Sequence, residues 1–97
     1  MNRKRIHAKV HGRVQGVAFR EYTRREAVRL GLFGWVENLP DGTVEVIFEG
    51  EAIPVEALLA WLPTGSPFSL VTRVDSNEEP PQGEARPFFI RYPAEKW

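Results

Sequence analysis

The stretch from Gly12 to Arg20 contains the strongest candidate for a chemical site in this 97-residue chain. Gly12 and Gly16 stand where an alternating strand pattern ends and a helical pattern begins. A glycine-containing turn lets several backbone N–H groups point at one spot, and a following helix adds its free N-terminal N–H groups. Arg20 places a permanent cation with a planar set of donors beside them. The stretch therefore predicts a binding site for a small oxyanion such as phosphate.

The composition limits the other chemistry that the chain can support. It has no cysteine, which excludes disulfides, thiol nucleophiles and thiolate metal sites. His7 and His11 share one strand face without further ligands nearby, so we expect no metal and no cofactor. No apolar run approaches membrane-spanning length and no signal segment is visible, so we expect a cytoplasmic protein with no membrane partner.

The charges are unevenly distributed although the formal net charge is zero. Through Leu30 there are nine Lys and Arg against two acidic residues, and after it four against eleven. The basic part contains the candidate loop, so its field favours an anionic ligand. Because the domain as a whole is not basic, nucleic acid is disfavoured as a partner.

The elements that must position this loop follow from periodicity and turn signals. The segment before the loop alternates as a half-buried strand, and the segment after it has an apolar face at helical spacing that ends at Gly31. A second strand ends at Asn38, and an Asp-Gly turn connects it to a third strand. The predicted elements are strands at 5–11, 32–38, 43–49, 69–76 and 88–92, a helix from Phe19, and a second helix with Pro54 in its first turn.

This order of elements predicts an α+β fold. We expect a ferredoxin-like split βαβ plan (βαββαβ), a sandwich in which an antiparallel sheet carries two helices on one face and a short strand is appended. The length predicts a single domain over residues 1–97. Because this fold hosts many unrelated functions, the function must be argued from the site.

Four sequence blocks together resemble the acylphosphatase family. They are HGRVQGVAFR, LGLFGWVENLPDGTVEV, GSP near Gly65 and the closing FFIRY, and the similarity runs from about His7 to Tyr92. The resemblance implies hydrolysis of the mixed anhydride between a carboxylic acid and phosphate, with no metal required. It also implies roles for seven residues: the backbone of Gln15, Gly16, Val17, Ala18 and Phe19 binds phosphate with Arg20, and Asn38 positions water.

The chemistry of this reaction agrees with that set of residues. Phosphoryl transfer passes through a loose transition state that needs charge stabilisation and alignment, and an acyl phosphate already has a good leaving group. A ring of N–H donors and one guanidinium supply both, and no strong base is demanded. We expect the proton to go to the substrate phosphate, and Thr43 to support Asn38 by a hydrogen bond. The expected partner is a small-molecule acyl phosphate, with inorganic phosphate as product and the chain acting as a monomer.

Two other classes of function stay open from the residues. One is a non-catalytic module of the same fold, either a phosphate sensor or an RNA-binding sheet; Glu37 on the face of Phe33 and Trp35 disfavours RNA. The other is a carbamoyl-phosphate-cleaving domain like those that begin larger maturation proteins. Asn38 favours hydrolysis over binding alone, because a water-positioning amide is needed only for the chemical step.

Overall fold

The computed structural model describes residues 2–92, so Met1 and residues 93–97 of the predicted 1–97 domain lie outside the described residues. Five strands and two helices follow one another in the predicted order, and the last strand is the short appended one. Their bounds are β1 Arg3–Arg13, α1 Phe19–Arg29, β2 Phe33–Asn38, β3 Val44–Glu51, α2 Ala52–Trp61, β4 Leu70–Glu79 and β5 Phe89–Ile90. Within these residues no helix is both long and apolar enough to cross a membrane.

The five strands form one sheet in the order β4-β1-β3-β2-β5. Four of them are antiparallel, as predicted, but β5 pairs with β2 in parallel, with Trp35 opposite Phe89 and Val36 opposite Ile90. The prediction of a purely antiparallel sheet is therefore wrong at this edge. The reason is the chain path: β4 runs antiparallel to β1, and the chain reverses once more before it joins β2 at the far edge.

The core lies between one face of the sheet and the two helices. Ile6, Ala8 and Val10 alternate along β1 and are buried, in agreement with the period of two in a pleated strand. Phe19 of α1 and Trp61 of α2 bring their rings to 6.1 Å, so the two helices pack beside each other over this face. This layer fixes the start of α1, and therefore the candidate loop, against the sheet.

Gly12 belongs to β1 and not to the phosphate-type turn that the sequence suggested. Its φ is +123°, and a Cβ at this position would lie 2.1 Å from the carbonyl oxygen of Leu70 on β4. The register between β1 and β4 shifts between His11 and Gly12, which marks a β-bulge. The glycine is thus required for the close approach of two strands, and the loop begins only after Arg13.

A buried ion cluster holds the segment that links β4 to β5 against the open face of the sheet. The Glu49 side chain is fully buried and accepts hydrogen bonds from the guanidinium groups of Arg3 and Arg5 and from the N–H groups of Gln82 and Gly83. Burial acts to raise the pKa of Glu49, but these four donors outweigh it and lower the pKa to about 2. The cluster fixes the path of the chain toward β5.

Candidate active site

The loop between β1 and α1 has the alternating backbone conformation of an anion-binding nest. Gly16 has a φ of +74° and Ala18 a φ of +62°, while Val17 between them has no positive φ. Ala18 is the N-cap of α1, and it adopts a left-handed conformation that is unfavourable for a residue with a Cβ. The local sequence therefore holds a strained turn directly before a helix, where N–H groups converge.

The N–H groups of this loop and of the first helical turn are free to bind a ligand. In the described part of the chain, the first N–H of this region that donates to a main-chain carbonyl is that of Tyr22, which bonds to the oxygen of Ala18 at 3.1 Å. A helix leaves its first N–H groups without partners and carries a partial positive charge at that end. The loop and the helix together thus present donors and a dipole to one anion.

Arg20 adds a full positive charge in the first turn of α1. Its guanidinium lies 5.3 Å from the ring centroid of Tyr92, within the range of a cation–π contact. Among residues 2–92 no carboxylate forms an ion pair with Arg20, whereas Arg24 and Arg25 both bind Glu21. The cation that the sequence singled out is therefore held beside the loop, and no carboxylate within residues 2–92 neutralises it.

Glu21 also borders the site, but its charge is matched by its neighbours. Arg24 and Arg25 hydrogen-bond its carboxylate and lower its pKa to about 2, so Glu21 stays ionised at neutral pH. Two guanidinium groups on one carboxylate leave this corner of the helix without a net negative charge. The positive potential at Arg20 is therefore not cancelled by the adjacent acid.

Asn38 ends β2 on the side of the sheet that faces the helices. It lies two residues beyond the buried Val36, and alternate residues of a strand share one face. Its Oδ1 atom is buried and accepts no hydrogen bond from any described residue. A buried acceptor without a partner is unfavourable unless water or a ligand satisfies it, which is the property that a water-positioning amide requires.

Gln15 connects the loop to the turn that follows Asn38. Its Nε2 donates to the carbonyl oxygens of Leu39 and Thr43, each at 2.8 Å. One side chain therefore bridges the phosphate-type loop and the β2–β3 turn. The sequence singled out Gln15 only for its backbone, so this side-chain contact was not foreseen.

Asp41 organises the same turn and corrects the expectation for Thr43. The Thr43 hydroxyl donates to Asp41 Oδ1 at 2.6 Å and not to Asn38, so the predicted support of Asn38 by Thr43 is wrong. The Thr43 hydroxyl and N–H, together with Lys9, lower the pKa of Asp41 below its ordinary range. The Asp41 carboxylate therefore stabilises the turn through local contacts.

A second contact holds the loop from the side of the α2–β4 connection. The buried Ser66 hydroxyl donates to the carbonyl oxygen of Val17 at 2.7 Å. The preceding Gly65, with a φ of +64°, lies so close to the Phe19 ring that a Cβ would be 2.7 Å from it. The sequence pointed to this segment only through the GSP resemblance, and the structure shows that it packs under the loop.

A cavity of about 320 Å³ opens at the start of α1. Of the predicted site residues, Gly16, Ala18, Phe19 and Arg20 line it, whereas Gln15, Val17 and Asn38 do not. The structure therefore brings four of the seven to one cavity, and Gln15 joins the loop to Leu39, the residue after Asn38. The other lining residues are Val14, Glu21, Ile90 and Tyr92.

The two histidines lie on the open face of the sheet, away from this cavity. His7 contacts Glu45 at 2.8 Å and His11 contacts Asp75 at 2.9 Å. Within residues 2–92 no group of three or more His, Asp or Glu side chains is close enough to hold a metal ion. The histidines therefore pair with carboxylates across neighbouring strands, as half-exposed sheet residues.

The fold and this site define a small α+β protein with a phosphate-type loop, and comparison with known proteins places it among relatives. The family model described as Acylphosphatase matches residues 6–90. An acylphosphatase of Rubrobacter xylanophilus is 53% identical over 91% of this chain and 80% of its own length. Acylphosphatase structures from Coxiella burnetii and Bacillus subtilis are 40% and 37% identical, with TM-scores of 0.87 and 0.88. They cover 93% and 92% of this chain and 94% and 99% of their own.

The chain belongs to the acylphosphatase family. The predicted family and the predicted enzyme class, a hydrolase that acts on acyl phosphates, are confirmed. The ferredoxin-like α+β fold is confirmed as well, with the parallel β5 as its one departure from the predicted sheet.

Proposed function

We propose that this chain hydrolyses small-molecule acyl phosphates at the cavity before α1, with Arg20 and the backbone from Gln15 to Phe19 binding phosphate and Asn38 positioning water. The observation that carries the proposal is the convergence of three features on one place. They are a nest with left-handed Gly16 and Ala18, an Arg20 that pairs with no carboxylate of the described residues, and the start of a helix. Each favours a dianionic ligand, and their charges add.

These donors act most strongly when charge moves onto the phosphoryl oxygens. In a loose transition state the transferred group is spread over three equatorial oxygens, and fixed donors stabilise it without having to reorganise. The contacts from Gln15 and Ser66 hold the loop from both sides, so its N–H groups are positioned before substrate arrives. Preorganisation of this kind lowers the barrier rather than only improving binding.

In this proposal Asn38 positions the water that attacks the phosphorus. Its buried Oδ1 has no partner among the described residues and can accept a hydrogen bond from a water beside the phosphorus. The water oxygen forms a bond to phosphorus while the bond from phosphorus to the acyl oxygen breaks, and the carboxylate leaves with the electron pair. The water proton passes to a phosphate oxygen, so a dianionic substrate gives a carboxylate and monoanionic dihydrogen phosphate. An amide is sufficient because this route needs no general base on the protein.

The test uses Arg20 and a matched arginine one helical turn away. Hydrolysis of an aryl acyl phosphate above its spontaneous rate, with a chelator present, is measured for the wild type, Arg20→Ala and Arg24→Ala. We expect the chelator to have no effect on the rate. In Arg20→Ala the turnover should fall about a hundredfold or more, and inorganic phosphate should no longer inhibit the enzyme. Arg24→Ala is expected to stay within a few-fold. Full activity of Arg20→Ala, or loss of activity with the chelator, would contradict the proposal.

A further inference from the structure

The Val17 carbonyl points toward the connection between α2 and β4. It accepts a 2.7 Å hydrogen bond from the hydroxyl of Ser66, a residue that is 2% exposed. Within residues 2–92 no main-chain N–H donates to this carbonyl, so its donor there is the Ser66 hydroxyl. Neither Val17 nor Ser66 lines the cavity before α1, whereas Ala18 does. The contact therefore lies behind the loop, away from the proposed phosphate position.

The planar peptide between Val17 and Ala18 connects this contact to the site. In a trans peptide the C=O and the N–H point in opposite directions, and the described chain has no cis peptide bond. Because the Val17 carbonyl points to Ser66, the Ala18 N–H points to the other side, where the cavity lies. No described main-chain carbonyl accepts this N–H. The bond from Ser66 therefore sets the direction of one of the proposed phosphate donors.

The same orientation of the peptide is unfavourable for Ala18. Its φ of +62° lies in the left-handed region, which disfavours an alanine by a factor on the order of ten. A rotation of the peptide by about 180°, as between type II and type I turns, would give Ala18 a negative φ that alanine prefers. The Ala18 carbonyl would keep its bond from the Tyr22 N–H, so α1 would still begin at the same place. The Ala18 N–H, however, would then point away from the cavity.

The connection that carries Ser66 is itself held in place. Ser69 donates to the Ser66 carbonyl through its N–H at 3.1 Å and through its hydroxyl at 2.7 Å, which closes a tight turn. A Cβ on Gly65 would lie 2.7 Å from the Phe19 ring, so the chain directly before Ser66 already packs against the start of α1. The Ser66 hydroxyl is therefore presented from a fixed position. A hydrogen bond of this kind favours the state that contains it by up to about tenfold.

We propose that Ser66 is a positioning residue whose hydroxyl holds the Val17–Ala18 peptide, against the strain of Ala18, in the orientation that binds phosphate. This inference rests on the proposed function, since it explains how one donor of that site is directed. The hydrogen bond and the left-handed strain oppose each other and are of similar size. Without the hydroxyl, the binding-competent peptide and the rotated peptide coexist, and a phosphoryl group binds only the first.

The experiment measures kcat and KM for an aryl acyl phosphate and the inhibition constant for inorganic phosphate. Ser66→Ala is made in the wild type and in Ala18→Gly, since glycine adopts a positive φ without strain. Ser66→Cys is a second variant of the same position, because a thiol is a weaker donor than a hydroxyl. Ser69→Ala is the matched control: it removes a hydroxyl with an equal 2.7 Å bond from the same connection, but the acceptor lies outside the loop. Circular dichroism checks that each variant is folded.

We expect Ser66→Ala to raise KM and the inhibition constant together by on the order of tenfold, because only the competent fraction of the protein binds. The value of kcat should stay within about threefold, since a bound phosphoryl group restores the orientation of the peptide. In Ala18→Gly the same substitution should raise both constants by at most about threefold, because glycine has no strain to relieve. Ser66→Cys should give a smaller increase than Ser66→Ala, and Ser69→Ala should change neither constant by more than about twofold.

A fall in kcat with unchanged KM and inhibition constant would overturn the proposal, because it would indicate a general loss of structure. An equal effect of Ser66→Ala with and without Ala18→Gly would also overturn it, since the strain of Ala18 would then not be what the hydroxyl opposes. If Ser66→Ala does not fold, unchanged constants in Ser66→Cys have the same meaning. A wild type that neither hydrolyses the substrate nor binds phosphate would contradict the proposed function instead, so the two failures are distinguishable.

Discussion

The side-chain amide of Gln15 donates a 2.8 Å hydrogen bond to the carbonyl of Leu39, the residue that follows Asn38. The same nitrogen bonds to the carbonyl of Thr43, so both ends of the β2–β3 turn are joined to the loop. Gln15 therefore joins the turn that follows the proposed water-positioning residue to the loop that holds the proposed phosphate donors. We therefore propose that the Gln15 side chain is a positioning residue, in addition to the backbone role that the sequence suggested.

Gln15→Met tests this relationship because methionine has a similar length and no donor. We expect kcat to fall about tenfold or more, because small misplacements of a reacting group are costly, while inhibition by phosphate changes less than about threefold. The fold should survive, since Leu39 and Thr43 keep main-chain donors for the same carbonyls. Gln82→Met is the control, because only the main-chain N–H of Gln82 makes a bond in the described structure. Equal losses in kcat and in phosphate binding would indicate a merely structural contact.

Gly12→Ala is expected to lower stability without touching phosphate binding. A Cβ there would lie 2.1 Å from the Leu70 carbonyl, and φ of +123° is unfavourable for alanine, so the free energy of unfolding should fall by about 3 kcal/mol. Gly42→Ala is the matched control, because its φ is +90° but nothing lies within 4 Å of the added Cβ. It should lose only about 1 kcal/mol. Urea unfolding measures both, and equal losses would show that close approach to β4 is not the cause.

The lowered pKa of Glu49 predicts that the folded protein loses stability in acid. Its folded pKa of about 2 lies below the ordinary 4.5, so its contribution is present above about pH 4.5 and is lost as the pH falls toward 2. Glu49→Gln leaves the buried Arg5 without one partner and should cost about 3 kcal/mol at pH 7. The variant should then lose less stability than the wild type between pH 4.5 and 2.

Unfolding in urea at pH 7, 4.5 and 2.5 checks this dependence. Glu21→Gln is the control, because the pKa of Glu21 is also about 2 but its side chain is 36% exposed, so solvent weakens its ion pairs. Its effect on stability should be much smaller. If Glu21→Gln and Glu49→Gln changed the acid dependence equally, the buried cluster would not be the source of it.

The sequence predicted the elements and the family well because both depend on local patterns. Alternation in β1, helical spacing after Phe19 and the Asp41-Gly42 turn are signals carried by neighbouring residues. The parallel pairing of β5 was missed, because the residue types of Phe89 and Ile90 do not indicate which edge strand of the sheet they pair with. Gly12 was misassigned for the same reason: its partner, Leu70, is distant in sequence.

The part of the site that lies within one continuous segment of the chain could be predicted from the types and the order of its residues. Arg20 and the N–H groups around Gly16 belong to one segment, so their convergence could be read from the order of residues. The contacts that hold this segment come from elsewhere: Ser66 from the α2–β4 connection and Tyr92 from beyond β5. Such long-range contacts leave no periodic signal in a single sequence.

The role of Asn38 is the central claim, and its direct test is Asn38→Ala assayed for turnover and for inhibition by inorganic phosphate. Because the water is held only for the chemical step, we predict that kcat falls by about a hundredfold or more while the inhibition constant for phosphate stays within about twofold. Asn77→Ala, an exposed asparagine on β4, is the control and should retain full activity. Turnover of Asn38→Ala within twofold of the wild type would contradict the account.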